Sequence, residues 1–225
     1  MFSDRRPERS GTCIHFDPLG TSAWNTLVVG TKRWVLFPPH VPRSVVKGKG
    51  LIRKNEDDEA IHYFLFILPR IKKRAAEIAA AVSLAANTDI EKNKNKSITC
   101  NNLTQKDQIR YANFECYEFT QHEGETVYIP TGWWHAVLNL EHTVAITQNY
   151  CSHANFDSCW RKIRTGRKKM AKKFLSRLET CHPDLAQRAK ELNRMDNFVM
   201  NNHITGNNLE KEQKQSRKAK KTWMA

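Results

Sequence analysis

The sequence predicts an all-β core followed by C-terminal α-helices, and three observations carry that reading. Runs rich in Val, Ile, Thr, Trp and Phe recur between turn residues over 12–37 and again over 114–150. Past Trp160 the apolar residues switch to helical spacing. The charge changes at the same place. Of a formal net charge of +14, residues 161–225 carry +12, from 18 Lys/Arg against 6 Asp/Glu, whereas residues 1–160 carry +2, from 19 against 17. A nearly neutral folded domain, 1–160, is therefore joined to a polycationic segment.

Taken in order, Thr12 to Asp17 ends a strand-like stretch. Trp24–Val29 and Lys32–Phe37 follow, separated only by Gly30-Thr31, the pattern of a two-residue hairpin. In that hairpin Val29 pairs with Lys32, Leu27 with Trp34 and Asn25 with Leu36. Pro38-Pro39 ends the second strand, because proline donates nothing to a ladder. Residues 40–54 read as a basic loop, and the apolar run Ala60–Leu68 halts before Pro69. Ile71–Ala86 is alanine-rich and helical in character. Residues 87–113, polar and without periodicity, read as the flexible part of a surface insertion over about 71–113. Strands return at Phe114–Thr120, Thr126–Ile129, Trp134–Leu140 and Thr143–Tyr150, with Pro130-Thr131-Gly132 as a turn. Residues 161–200 form basic helices: Phe174, Leu175 and Leu178 mark one face, and Pro183 opens the next helix at a position where proline is tolerated. Residues 201–225 have the composition of a disordered tail.

No run approaches the roughly 20 apolar residues a membrane-spanning helix needs, and the charged opening lacks the apolar run of a secretory leader. The six cysteines form no C-x-x-C pair. A soluble intracellular protein without a disulfide framework is the expectation, and the sequons at Asn95 and Asn102 are then coincidences.

His15 and Asp17 lie two apart on a strand, on one face and about 7 Å apart along the chain. An imidazole and a carboxylate so placed can grip one metal ion, and a second imidazole would complete the facial triad suited to non-haem Fe(II) oxygenases. His135, opening a strand after the 130–132 turn, is the best candidate. Alone, His-x-Asp is a common hydrogen-bonded pair. Its companions matter more. In the hairpin register Asn25 and Lys32 share a face. If that face is inward, Lys32 needs an anion; if outward, it is a solvated lysine at a hairpin tip. Thr147 and Asn149, two apart on a later strand, offer a hydroxyl and an amide, or else are ordinary polar positions.

The segments Gly11–Asn25, Lys32–Trp34 with Leu36–Pro38, Gly124–His135, Val137–Leu140 and Ala145–Asn149 together resemble the Jumonji-C family of arginine demethylases and lysyl-hydroxylases. The resemblance covers roughly 9–70 and 114–195. It implies a double-stranded β-helix, the jelly-roll or cupin-like barrel, with His15, Asp17 and His135 as Fe(II) ligands. It implies Lys32 and Thr147 as partners of the distal carboxylate of 2-oxoglutarate, with Asn25 and Asn149 lining the same pocket. The substrates implied are protein lysine or methyl-arginine side chains, of histone or splicing-factor type. Since Met1–Arg6 does not read as a strand, the first barrel strand and the helices that precede it in the family are expected to be missing. Eight cations within 161–173 favour RNA or acidic partners and a nuclear address. No membrane partner is expected, and the C-terminal helices are candidates for pairing two copies of the chain. The competing reading is an inert truncated barrel that binds RNA or protein through its basic C-terminus.

Overall fold

A computed structural model describes residues 2–57, 59–88 and 104–200, with side chains from Arg5 onward and not for 84–88. The chain divides into two compact units, Met1–Lys162 and Ile163–Ala225. The first is built on eight strands: β1 (Phe2–Arg6), β2 (Gly11–His15), β3 (Ser22–Val29), β4 (Lys32–Phe37), β5 (Tyr117–Gln121), β6 (Thr126–Ile129), β7 (Trp134–Asn139) and β8 (Thr143–Tyr150). They form two antiparallel four-stranded sheets in the orders β1-β8-β3-β6 and β2-β7-β4-β5. Ala23, Val127 and Ile129 of the first sheet pack with Trp34, Leu36 and Val137 of the second. The inner faces therefore meet, as in a double-stranded β-helix.

Two expectations are corrected here. Met1–Arg6 was not read as a strand, yet Phe2–Arg6 pairs with β8 from Phe2↔Thr147 to Arg6↔Thr143. The strand lies at a sheet edge, and main-chain pairing tolerates the polar composition that edge strands commonly carry. The second correction concerns Gly30-Thr31, which does not close a hairpin. β3 pairs with β6 and β8, and β4 with β5 and β7. Gly30 turns a corner between sheets at φ +91°, where an added Cβ would lie 2.3 Å from the His142 carbonyl oxygen. A two-residue spacing reports a tight turn; which strands then pair depends on partners that lie 81 to 128 residues away.

β4 and β7 are buried on both faces. Their outward residues Val35, Phe37, Ala136 and Leu138 lie under a helical layer contributing Tyr63, Phe64, Ile67 and Ile71. That layer runs from α1 (Arg43–Val46) through α2 (Ala60–His62) and a π-helical stretch, Tyr63–Ile67, into α3 (Leu68–Thr88). The helix thus continues through Pro69, where a halt was expected. Proline deprives the Leu65 carbonyl of its i+4 donor, and the wider π turn just before it is one way a helix absorbs such a defect. The alanine-rich segment is helical, as its composition suggested. Part of the stretch expected to be flexible is not: Gln105–Tyr111 forms α4, capped by Thr104, whose hydroxyl accepts from the Asp107 N–H at 3.2 Å. The remainder of that stretch, 89–103, and the expected tail, 201–225, lie outside the described residues.

α5 (Phe156–Gly166) begins five residues before the helical reading placed it, and α6 (Lys168–Cys181) and α7 (Pro183–Met195) follow. In the second unit Ala171, Leu178, Ala186, Ala189 and Leu192 are buried, and Arg164 donates to Asn193 Oδ1 at 2.6 Å and to Asp196. No helix among the described residues is long and apolar enough to cross a membrane.

Candidate metal centre and co-substrate pocket

β2 and β7 are neighbours, and their register sets His15 directly opposite His135. Their rings lie 4.2 Å apart, centroid to centroid. Asp17 follows at the entry to a 3-10 turn over Pro18–Gly20, its backbone extended at φ −63°, ψ 142°. One ligand atom from each of the three residues falls within 4.8 Å of the others. His135 Nδ1 faces the Trp133 carbonyl at 3.2 Å and His15 Nδ1 faces the Cys13 carbonyl at 2.8 Å. A carbonyl only accepts, so each Nδ1 carries the proton and each Nε2 keeps its lone pair, the orienting arrangement that metal-ligating histidines use. Burial, then the neighbouring His15, pushes the His135 pKa down to about 4, against weaker support from Asp17 and the Trp133 carbonyl. The imidazole is therefore neutral near pH 7. Asp17 is 8% exposed, and its Oδ2 is buried without a hydrogen-bond partner among the described residues. A buried, unshared carboxylate oxygen beside the neutral His135 imidazole and the His15 ring fits a divalent cation, whose charge would offset its desolvation.

The three residues open onto a cavity of about 340 Å³, which Asn25, Lys32, Thr147 and Asn149 also line. All seven residues singled out in the sequence thus face one space. Asn25 and Lys32 share it because their strands lie in opposed sheets, and not through the hairpin register. Lys32 is 3% exposed. It pairs with Asn139 on β7, while Leu36 pairs with His135, which sets the lysine's backbone roughly 13 Å along the strand from the triad. Thr147 Oγ1 donates to the Trp24 carbonyl at 2.8 Å, and Asn149 Nδ2 to Thr21 Oγ1 at 3.1 Å. The apolar wall is Trp34, Ile129 and Val137. Trp34 Nε1 is held by Gln121 Oε1 at 2.8 Å, and Gln121 Nε2 donates to the Asn25 carbonyl at 3.0 Å.

Arg6, Thr12 and Asn139 line the cavity too and were not singled out. Asn139 was within reach, since His135, Val137 and Asn139 alternate on one face. Thr12 was not. It is three residues from His15, the wrong parity for a regular strand, and an irregularity in the β2–β7 register between the two puts both on the cavity side. Arg6 sits on the strand that the sequence hid.

A polar cluster ties together the segments that carry the triad. The Gly20 carbonyl, three residues after Asp17, accepts from Thr131 Oγ1 at 3.1 Å and from the Cys159 thiol at 3.0 Å. Thr131 belongs to the turn that leads into His135. Asn155 Nδ2 reaches Ser22 Oγ at 3.1 Å, Thr131 Oγ1 at 3.2 Å and the Tyr150 carbonyl at 3.3 Å, while its Oδ1 accepts from the Ser152 N–H at 2.7 Å.

Comparison with known proteins agrees with this geometry. Residues 6–158 match the model of the cupin-like domain. The bifunctional arginine demethylase and lysyl-hydroxylase psr-1 of Caenorhabditis elegans is 37% identical over 195 residues, 87% of this chain and 40% of that protein. The arginine-specific demethylase JMJ22 of Arabidopsis thaliana is 31% identical, matching 84% of the chain and 34% of its own length. The 2-oxoglutarate and iron-dependent oxygenase JMJD4 of Homo sapiens is 25% identical, matching 70% and 28%. The chain thus spans less than half the length of these relatives. With the match running from the last residue of β1 to α5 and through every residue of the triad, the chain belongs to the cupin-like family, in its Jumonji-C group.

Proposed function

We propose that this chain carries the catalytic domain of an Fe(II)- and 2-oxoglutarate-dependent oxygenase that acts on protein side chains, hydroxylating lysine or demethylating methyl-arginine. The observation that carries it is the meeting of His15, Asp17 and His135 at one end of a cavity whose other end holds the buried Lys32. Relatives named as lysyl-hydroxylase, arginine demethylase and 2-oxoglutarate oxygenase support the substrate and co-substrate classes. Fe(II) with 2-oxoglutarate supplies the oxidising power, coupling decarboxylation of the 2-oxo acid to oxygenation of a C–H bond by O₂.

The chain's own residues do the rest. His15 and His135 present Nε2, and Asp17 presents Oδ2, so these three side chains would hold the cation. Lys32 binds the distal carboxylate in a site walled by Trp34, Ile129 and Val137, where exclusion of water strengthens the ion pair. The Thr147 hydroxyl rotates, so its proton can turn from the Trp24 carbonyl to the same carboxylate. The Asn25 amide lines the path between. Production of succinate that needs both iron and 2-oxoglutarate, with a lysyl peptide gaining an oxygen or a methyl-arginyl peptide losing its methyl group, is the expected result. Succinate output unchanged in His15→Ala would overturn the proposal.

A second reading, an RNA- or protein-binding module acting through the basic helices, draws on the cations of α5 and α6. Arg164 does not serve it, being 4% exposed and committed to Asn193 and Asp196. Lys168, Lys169 and Lys173 are exposed. The same segment supports a nuclear address, tested by where a fluorescent fusion accumulates. Met195 and Val199, 66% and 77% exposed, give two copies an apolar surface to share, tested by light scattering of Met195→Lys.

A further inference from the structure

We infer that Arg6 is a second cation of the co-substrate pocket and makes it selective for a dicarboxylic over a monocarboxylic 2-oxo acid. The inference rests on the co-substrate reading above and adds a residue that neither motif nor spacing suggested.

Arg6 lies opposite Thr143 in the β1–β8 pair, and residues directly opposite in an antiparallel pair point to the same face. That face is the inner one: Thr143 is 2% exposed, Ala145 is fully buried and Thr147 lines the cavity. Arg6 lines the cavity as well, at its solvent-exposed rim.

Its position along the cavity follows from the neighbouring strands. Lys32 pairs with Asn139. The link between β1 and β2 crosses the chain at that same level, with Arg9 N–H donating to the Asn139 carbonyl at 2.9 Å and Asn139 N–H to the Ser10 carbonyl at 2.8 Å. Arg6 immediately precedes this link, so it stands at the Lys32 end of the cavity, away from the triad.

That end is polar in an unusual way. Asn139 Oδ1 and Thr143 Oγ1 are buried and have no hydrogen-bond partner among the described residues, a condition that in folded proteins points to a bound water, ion or ligand. The charges are one-sided. Among the described residues that line the cavity the cations are Lys32 and Arg6, and the acid is Asp17, which belongs to the triad. A ligand matching this distribution carries one negative group towards the triad and a second towards the two cations. The guanidinium fork suits a carboxylate, which it can engage through two parallel N–H donors. Because Lys32 is buried and Arg6 is exposed, Lys32 supplies the base affinity and Arg6 supplies a contribution that salt screens.

The test uses the full chain loaded with Mn(II), titrated calorimetrically with 2-oxoglutarate and with 2-oxobutyrate, which keeps the 2-oxo acid and lacks the distal carboxylate. Arg6→Ala should weaken 2-oxoglutarate about tenfold, the scale of a charge-assisted hydrogen-bonding pair, and leave 2-oxobutyrate unchanged. Arg6→Lys should recover part of the loss, and raising salt should shrink the gap between wild type and Arg6→Ala. An equal loss for both acids, or no loss for 2-oxoglutarate, overturns the inference. Arg6→Gln, which keeps the length and removes the charge, decides the matter if Arg6→Ala does not fold. Lys32→Ala separates the two levels: weakened 2-oxoglutarate there, with Arg6→Ala unchanged, removes Arg6 alone. Unchanged 2-oxoglutarate binding in both Lys32→Ala and His15→Ala removes the co-substrate reading itself.

Discussion

His15 and His135 each turn Nδ1 to a carbonyl two residues earlier in the chain, Cys13 and Trp133. Each ring is thereby oriented by its own strand, so ring direction comes with the backbone and needs no distant partner. Asp17 has no such support. Its Oδ2 is buried without a partner among the described residues, and an ionised carboxylate in that state costs folding free energy until a cation arrives. Asp17→Asn should therefore leave the melting temperature of the metal-free protein unchanged or higher, while abolishing the rise that Mn(II) gives the wild type. Thermal unfolding with and without Mn(II) checks both halves, and a metal-induced rise that persists in the variant contradicts them. The metal end also depends on Asn155, 8% exposed, whose amide serves Ser22, Thr131 and Tyr150 at once. Asn155→Ala strands those groups in a buried site and should cost about 2–3 kcal/mol in urea unfolding; a cost near zero would show that the cluster is dispensable. The triad was legible through its companions and the family resemblance more than through strand alternation, since β2 ends at His15 and Asp17 lies at the entry to the 3-10 turn. Asn155 was not legible. Nothing about one asparagine after a strand says that it will meet a turn and a strand start that lie far from it in the chain.

At the level of elements, strands were easier to place than their partners. β4, β6 and β8 fall where their composition puts them, since β-branched and aromatic runs between turn residues are a local signal. Pairing is a non-local property, which is why Gly30-Thr31 passed for a hairpin turn. Alternation left Lys32 either inward or outward, and the structure decides between the two by burying it. The helical layer shows the opposite case: Pro69 is a local stop signal that the tertiary burial of Tyr63, Phe64, Ile67 and Ile71 overrides. That layer is clamped to the 47–59 connection by Arg70, which donates to Glu56 at 2.5 and 2.7 Å and to the Leu51 carbonyl at 3.0 Å. Hydrogen bonds from Arg70, and then from the Arg53 backbone N–H, hold the Glu56 carboxyl at about 2, below its usual 4.5. A depressed folded-state pKa stabilises fully above the ordinary value and progressively less as pH falls towards the depressed one. The difference in melting temperature between wild type and Glu56→Gln should thus be constant above about pH 5 and close between pH 4.5 and 2. A difference that does not change across that window would mean the pair adds nothing to the fold.

On the scale of the whole molecule, chemistry and charge are assigned to different stretches of chain. Every residue that lines the cavity belongs to Met1–Lys162, while the net charge of +12 belongs to 161–225. The step in composition near Trp160 coincides with that division. The helix that crosses the step, α5, was not legible in full. Its first turn packs Phe156, Cys159 and Trp160, all buried, which reads as a continuation of the apolar β segment until its register is seen. If the exposed lysines of α6 contact the phosphates of a nucleic acid, each releases condensed counterions, and affinity falls with salt in proportion to their number. Replacing Lys168, Lys169, Lys172 and Lys173 together with Gln should lower the slope of log affinity against log salt by at most about three on a single strand, with binding weakened alike for unrelated RNA sequences. Co-substrate binding to the Mn(II) form should stay as it was, since none of the four lines the cavity. Filter binding of a single-stranded RNA across a salt series measures the slope. A slope that does not change removes α6 from the contact, and a change confined to one RNA sequence replaces the electrostatic account with base recognition.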